Sequence, residues 1–316
     1  MKCLITKLNG VVDSNSFLKI GELRMQVEKK SDNLGFIITC SKETIIKIIG
    51  DGYFDNNPQV KEKTLQADSS NTIIISKGTY TISISDKYHV KMLQVSSPGQ
   101  GDNVILDLAD LKYSKEIKDF ANNTLGLHGD LSNLTGIRLN SFTIHNSSVT
   151  GNFDGIDLSK LMHIQTFNTD TAINLQLLSG NTNLLTFAVT NAYGNIDSLK
   201  DANNARQLKF FRSKLTGDLA LLSSNCVFVS LLEDKGSTFT WSNRPTSANI
   251  LALEGGVKVD NVDKVLNNLM NCQVGYTSSD PYYYKVISLK GTRTSESDAA
   301  VQALQGKGYT VSITPA

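Results

Sequence analysis

Leu139-Asn140-Ser141-Phe142-Thr143-Ile144-His145-Asn146-Ser147-Ser148-Val149-Thr150-Gly151-Asn152-Phe153 holds two markers that recur along the chain. The first is apolar-x-x-apolar-x-apolar, here Leu139, Phe142 and Ile144. The spacing returns at Ile164/Phe167/Thr169, Leu184/Phe187/Val189, Leu208/Phe211/Ser213 and Phe228/Leu231, with two-site versions at Ile250/Leu253 and Val286/Leu289. Successive first positions lie 25, 20, 24, 20, 22 and 36 residues apart. The second marker is Gly-(Asp/Asn)-apolar: Gly129-Asp130-Leu131, Gly151-Asn152-Phe153, Gly194-Asn195-Ile196 and Gly217-Asp218-Leu219. Its gaps of 22, 43 and 23 imply a copy passed over near Ala172-Ile173-Asn174.

Two markers sharing a period near 22 predict a stack of coils. A coil of this length cannot bury its apolar stripe alone and stands only against its neighbours. The glycine permits a turn at positive φ, and the adjoining Asp or Asn bonds the amides of that turn. A period of 20–29 with one short strand per turn is the pattern of leucine-rich repeats. The consensus is met best by Leu139, Phe142, Ile144 and Val149, with Ser147 where Asn or Cys is usual. From Ala121 to Gly255 only 19 of 135 residues are charged, while Asn, Ser, Thr and Leu dominate.

Outward from this core, the first 95 residues read as strands. Candidate runs are Leu18 to Val27, Gly35 to Thr39, Thr44 to Ile49, Asn71 to Ser76, Thr79 to Ile84 and Tyr88 to Val95. Tyr80, Ile82 and Ile84 alternate with small polar residues, the period of a half-buried strand. The Pro/Gly-rich segment Ser96 to Asn103 marks a boundary. At the other end, Val262, Val265, Leu266 and Leu269 have helical spacing, and Ser295 to Leu304 predicts a helix before a last strand at Tyr309 to Thr314. The expected fold is α+β: an all-β sandwich-like docking domain over 1–96, a linker and N-terminal cap over 97–124, a leucine-rich-repeat-like β/α solenoid over 125–291, and a helix–strand cap over 292–316.

Composition removes several function classes. The 316 residues carry a formal charge of +1, so no basic face for nucleic acid is indicated. No apolar run approaches the roughly 20 residues of a membrane helix, and Cys3 to Ile5 is too short for a secretory signal; membrane insertion and export by a leader are not expected. Cys3, Cys40, Cys226 and Cys272 are scattered without a CxxC pair and read as buried or half-buried thiols. His145 and His163 fall in or beside consecutive repeat strands, but no third ligand accompanies them, so no metal is expected. Asp51 and Asp55 flank a turn without an EF-hand frame. Gly99-Gln100-Gly101 and Gly306-Lys307-Gly308 lack the frames of nucleotide loops, and no Gly-x-Ser-x-Gly elbow occurs. Asn123, Asn133 and Asn146 sit in N-x-(Ser/Thr) triplets that have no meaning without secretion. No catalytic residue and no cofactor is indicated. What remains is surface recognition through side chains on the exposed strand face: Thr143, His145, Asn168, Asp170, Thr190, Arg212, Lys214 and Asp234, a mixed polar strip suited to a protein or glycan partner and equally to plain solvation.

Asn/Ser/Thr-rich, charge-poor repeats are typical of exported surface proteins, and a virion protein reconciles that texture with a missing export signal. The chain resembles leucine-rich-repeat proteins encoded by Bacteroides and their crAss-like phages. The stretches that carry the likeness are the opening MKCLITKLNGVV, the IIGDGYF turn, GTYTISISDKY, the Gly-Asp/Asn marker, and ISLKGTRTSESDAAVQALQGKGYTVSIT. The resemblance implies a non-enzymatic structural component of the bacteriophage virion, a head fibre or capsid decoration. Its β-domain would dock or oligomerise on other virion proteins while the solenoid faces outward. A tail-associated protein that binds a host-surface protein or glycan, and a cytoplasmic protein-interaction module, are the alternatives.

Overall fold

The computed structural model describes residues 22–32, 34–96, 103–112, 114, 116–122, 127–145, 147–275 and 285–315. The opening stretch of the resemblance, Cys3, the Gly99-Gln100-Gly101 turn, and Asn123 and Asn146 lie outside the described residues.

Among those residues the protein is mostly β, arranged in a ten-stranded and a twelve-stranded sheet. The α-helices described are Val262–Leu269 and Asp298–Gly306. The repeat is therefore less helical than the β/α coil expected from sequence. Each coil contributes a strand to the twelve-stranded sheet, such as Ser141–His145, His163–Phe167, Thr186–Thr190, Gln207–Phe211 and Phe228–Leu232. The chain then turns a corner into the ten-stranded sheet, through strands such as Ser148–Asn152, Asp170–Asn174, Ala192–Asn195 and Lys214–Thr216. The third side holds a 3-10 turn: Leu131–Leu134, Leu175–Leu178, Ile196–Leu199 or Leu219–Leu221. Pairing between coils is parallel throughout.

Strand alternation decides which residues enter the core. Phe142 aligns with Phe120 on one side and Ile164 on the other, and the column continues through Phe187, Leu208, Val229, Leu253 and Ile287. All are buried, and each full burial is worth about 1.5–3 kcal/mol. The Phe120 and Phe142 rings stack at 5.7 Å. This register corrects the sequence alignment at four coils, where Ile164, Leu208, Val229 and Ile287 hold the inward column in place of Phe167, Phe211, Leu231 and Leu289. Phe167 pairs with His145 and Phe211 with Thr190, so both phenylalanines point outward, three residues past the inward column. The inward residues of those two coils are Ile164 and Leu208.

The second marker behaves as expected. Asp130, Asn152, Asn174, Asn195 and Asp218 each accept, through the side-chain oxygen, the backbone N–H two residues on, at 2.8–3.0 Å. Asn174 fills the place that lacks the glycine, and Asp107 adds an earlier copy. The preceding glycines are needed twice over. Gly151 has φ +89°, and a Cβ there would lie 2.7 Å from Asp130 Oδ2 of the preceding coil. Gly217, at φ +112°, packs in the same way on Asn195 and Asp197. Each turn is thus floored by the cap of the coil before it.

Both sheets run on without a break into antiparallel strands. Leu23–Lys29 lies between Gly78–Ile84 and the first coil's Asn103–Asp107, with Val27 facing Val104. Val90–Ser96 pairs in parallel with Asp119–Asn122, Leu93 facing Phe120. Residues expected as linker and cap therefore include strand, 3-10 turn (Leu108–Leu111) and strand, a full coil in which Leu106 and Leu108 are core.

Near the other end Arg244 is 1% exposed. Its guanidinium donates to the carbonyls of Asn249, Leu222, Ser223 and Cys226 at 2.7–3.0 Å, and burial lowers its pKa. Asn268 accepts from the Arg244 amide and from Trp241 Nε1, tying the helix Val262–Leu269 to that coil. Asp263 accepts from the Thr294 amide and hydroxyl and from Ser297 Oγ. Burial raises its pKa, but these bonds outweigh it and hold the carboxyl below its ordinary value. The segment leading to the second helix is thereby fastened to the first. Cys40, Cys226 and Cys272 are buried and unpaired; burial pushes the Cys226 thiol up to about 11, away from reactivity. Among the described residues no helix is long and apolar enough to cross a membrane.

Candidate functional site: the outward face of the twelve-stranded sheet

Side chains between the inward positions form outward columns across successive coils. One column runs Thr143, Gln165, Ala188, Lys209, Ser230, Glu254. Ala188 is the short member, and a hollow of about 270 Å³ opens there among Gln165, Leu185, Thr186, Gln207 and Lys209. His163 Nδ1 lies 3.2 Å from Thr186 Oγ1 in the neighbouring column. Ser230 Oγ donates to Glu254 Oε2 at 2.6 Å, where the register shifts between Leu253 and Val257.

The column at the strand ends is apolar. Phe167 is 39% exposed and meets Phe211 edge-on at 4.9 Å, with His145 6.2 Å from Phe167 and exposed Leu232 aligned with Phe211. Aromatic rings left in water on a polar face are expensive to keep there and mark a contact surface.

The eight residues expected to bind fall into three places. Thr143 and His145 do lie on the outward face, both half-buried. Asn168, Asp170, Arg212, Lys214 and Asp234 lie instead at the corner where the chain passes between sheets. Asn168 and Arg212 take left-handed φ of 50° and 49°, with Asn191 and Glu233 equivalent in other coils. Arg212 Nε pairs with Glu233 Oε2 at 2.7 Å, an exposed bridge of small energetic weight. Asp170 and Lys214 open strands of the other sheet and are exposed. Asp234 accepts from the amides of Gly236 and Ser237. Thr190 is corrected outright. It is 2% exposed; its amide donates to Thr166 Oγ1 at 3.0 Å and its hydroxyl to the Thr166 carbonyl at 2.8 Å. The corner needs a hydroxyl there to satisfy backbone groups between coils, a role taken elsewhere by Ser213, which accepts from the Ala192 amide, and by Ser237, which accepts from Leu215. His145 and His163 stand at opposite ends of paired strands rather than together.

Sequence reading missed Gln165, Ala188, Lys209 and the outward pair Phe167/Phe211. Plain alternation from the buried Ile164 and Leu208 would have found them.

No family model and no curated protein matches the chain. Solved structures that are similar to it in part include two that each cover about two thirds of it or more. The PEPR1–AtPEP1 crystal structure covers 72% of this chain at 17% identity, with a TM-score of 0.38. An internalin, InlF, from Listeria monocytogenes str. 4b F2365 covers 67% at 14% identity, with a TM-score of 0.33. The chain spans 35% of the first structure's chain and 82% of the second's. Both are leucine-rich-repeat proteins. The coils described above are leucine-rich-repeat-like on their own geometry: a short parallel strand, an Asx-capped 3-10 turn, and a return of about 22 residues.

Proposed function

We propose that the protein is a non-enzymatic binding scaffold whose twelve-stranded sheet docks a protein partner through its outward face. The observation that carries this reading is the exposed Phe167 ring, set edge-on against half-buried Phe211 and flanked by His145 and exposed Leu232. The setting is a bacteriophage particle, with the chain as a head fibre or decoration attached to other virion proteins. That setting rests on the sequence resemblance alone. The antiparallel end, whose sheets continue into the coils, would face the particle, so that docking and display share one rigid framework.

Cross-linking mass spectrometry on gradient-purified particles tests both parts. Peptides of this chain should be present, with Lys214 or Lys235 at the corner that follows the aromatic strands linked to a second particle protein. A Phe167→Ser/Phe211→Ser variant should fold but lose those links. Clean particles that lack the chain would end the virion reading. Links unchanged in the variant would end the assignment of the face.

A further inference from the structure

The outer strands of the two sheets are guarded unequally. In the ten-stranded sheet, the edge strand Glu62–Leu65 carries charge, with Glu62 paired to Lys47 at 2.9 Å and Lys63 to Asp55 at 2.8 Å. Its other edge strand, Lys214–Thr216, is covered: the Leu215 carbonyl accepts from the Thr238 amide at 2.9 Å and the Leu215 amide donates to Ser237 Oγ at 2.8 Å. In the twelve-stranded sheet, Asn71–Ile74 is closed off where the Ile74 carbonyl takes the Asp55 amide and Ile75 bridges Phe54. The last edge strand, Thr310–Thr314, has none of these protections. It reads Thr-Val-Ser-Ile-Thr, without charge, Gly or Pro, and among the described residues it pairs only with Val286–Lys290. A neutral, β-branched edge is a template for strand addition, which proteins ordinarily blunt.

The existing pairing fixes which backbone groups are open. The Gly291 amide donates to the Thr314 carbonyl at 2.9 Å, so Thr310, Ser312 and Thr314 turn their backbone groups to the neighbouring strand. Val311 and Ile313 turn theirs, two N–H and two C=O, to the open side. The row stops on either flank: the Tyr309 amide donates to the Leu304 carbonyl, and Pro315 has no N–H. Burial is incomplete at the same place. Val311 and Ile313 lie beside the fully buried Ile287 and Leu289 at the end of the inward columns, yet are themselves only half-buried.

We infer that this edge pairs with the same edge of a second copy of the chain, antiparallel about a two-fold axis through Ser312. Val311 then faces Ile313 of the second copy and exchanges both hydrogen bonds with it, and Ile313 does the same with the second copy's Val311. All the open groups are used. An axis at Val311 would call on the Tyr309 N–H, which is already engaged, and an axis at Ile313 on an N–H that Pro315 lacks. Side chains agree with this register. Val311 and Ile313 of both copies meet over the exposed end of the core, while Thr310 stands opposite Thr314 on the wet face, a favourable cross-strand pair. The strand has no charge to oppose its own copy. The antiparallel strands become the two far ends of the dimer, and the aromatic pair takes no part in it.

Sedimentation velocity of the full chain over a roughly hundredfold range of concentration should show a monomer–dimer equilibrium. Ser312 is exposed, so Ser312→Lys and Ser312→Glu should keep the parent's melting temperature while setting like charges face to face on the axis. Each variant alone should dimerise about tenfold or more weakly, and an equal mixture of the two should regain the dimer as a mixed pair. Ser312→Cys should oxidise to a covalent dimer, because Cα atoms about 4.5 Å apart across such a pair are within disulfide reach. Phe167→Ser/Phe211→Ser should dimerise as the parent does, which separates this result from the docking of a protein partner. A chain monomeric throughout would leave the edge to a strand of another protein and overturn the inference. A dimer indifferent to both charges, a mixture no better than its parts, or a dimer lost in the phenylalanine variant would overturn it as well.

Discussion

The antiparallel end and the parallel coils share two continuous sheets yet are held by different means. In the antiparallel strands, partners such as Leu23 and Ile84 or Ile46 and Ile84 are fixed by side-chain alternation and by turns, and the faces separate cleanly into buried and wet. In the coils every strand's neighbour lies about 22 residues away, and each corner repeats a polar device: an Asx cap, a buried hydroxyl, or an asparagine reaching one coil back. A chain crossing between sheets strands its backbone groups at each corner, and a buried unpaired group costs about 1–3 kcal/mol. The Asn/Ser/Thr-rich texture of the coils is thus an internal requirement of stacking as much as a surface property.

The largest test of that contrast is Arg244. Arg244→Met leaves the Leu222, Ser223, Cys226 and Asn249 carbonyls without their shared donor, for an expected loss of about 4 kcal/mol. Stacked repeats lose stability locally. Hydrogen exchange should therefore quicken in Phe228–Leu232 and Ala252–Lys258 while Leu23–Lys29 and Gly78–Ile84 keep their protection. Equal loss at both ends would show one cooperative unit and remove the distinction.

Next comes a pair of glycines. Gly217→Ala is strained at φ +112° and drives its Cβ into the cap of the preceding coil; Gly136→Ala, at φ +80°, meets nothing within 4 Å. Urea unfolding should show a loss of about 2–3 kcal/mol for the first and about 1 kcal/mol for the second. Matching losses would mean that backbone strain alone matters and that the glycine-on-cap contact contributes nothing.

These same contacts explain what was legible beforehand. Period and turn chemistry were readable because Asp130, Asn152, Asn195 and Asp218 do one local job, visible as a local motif. Strand register was not. Phenylalanine drew the alignment, and the uneven gaps of 25, 20, 24 and 20 were the trace of the error. The buried residues Leu139, Leu161, Leu184, Ala205 and Cys226 begin the true repeat, at gaps of 22, 23, 21 and 21. Ala205 and Cys226 are small and carry a weak signal, and in the coils of Ile164 and Leu208 the outward phenylalanine three residues further on takes the place of the inward residue. Thr190 and Arg244 were out of reach for another reason. Each satisfies groups on a neighbouring coil about 20 residues away, and no local pattern encodes that. The outward face followed the register, so two of the eight expected residues lie on it.

Acid should distinguish the coils more gently. Hydrogen bonds from Ser132 lower the Asp130 pKa; those from Ser159 and then Arg138 hold Asp157 at about 2. A carboxyl whose folded pKa lies below its unfolded one stabilises above the unfolded value, near 4, and loses that contribution as pH falls through the folded one. Stability should therefore decline between about pH 4 and pH 2. Asp130→Asn keeps the cap, since Asn holds the same place at 152, 174 and 195, and should flatten the decline at a cost within about 1 kcal/mol at pH 7. An unchanged acid slope in urea titrations would place the sensitive groups elsewhere.

The smallest expected effect is the most telling for function. Phe167→Ala removes an aromatic ring from the same sheet as buried Phe187, but from the wet face. Its ring gives up edge-on contacts with Phe211 and His145, while Thr190 in the same column keeps its hydrogen bonds to Thr166. Burial and edge contact together set a loss below about 1 kcal/mol, measured as a shift in the urea midpoint without change in slope. A loss of several kcal/mol would make the ring a structural cover for the corner hydroxyl and take away its meaning as a docking surface. A near-neutral result leaves an exposed aromatic ring that the fold does not need, which is the condition a contact residue must meet.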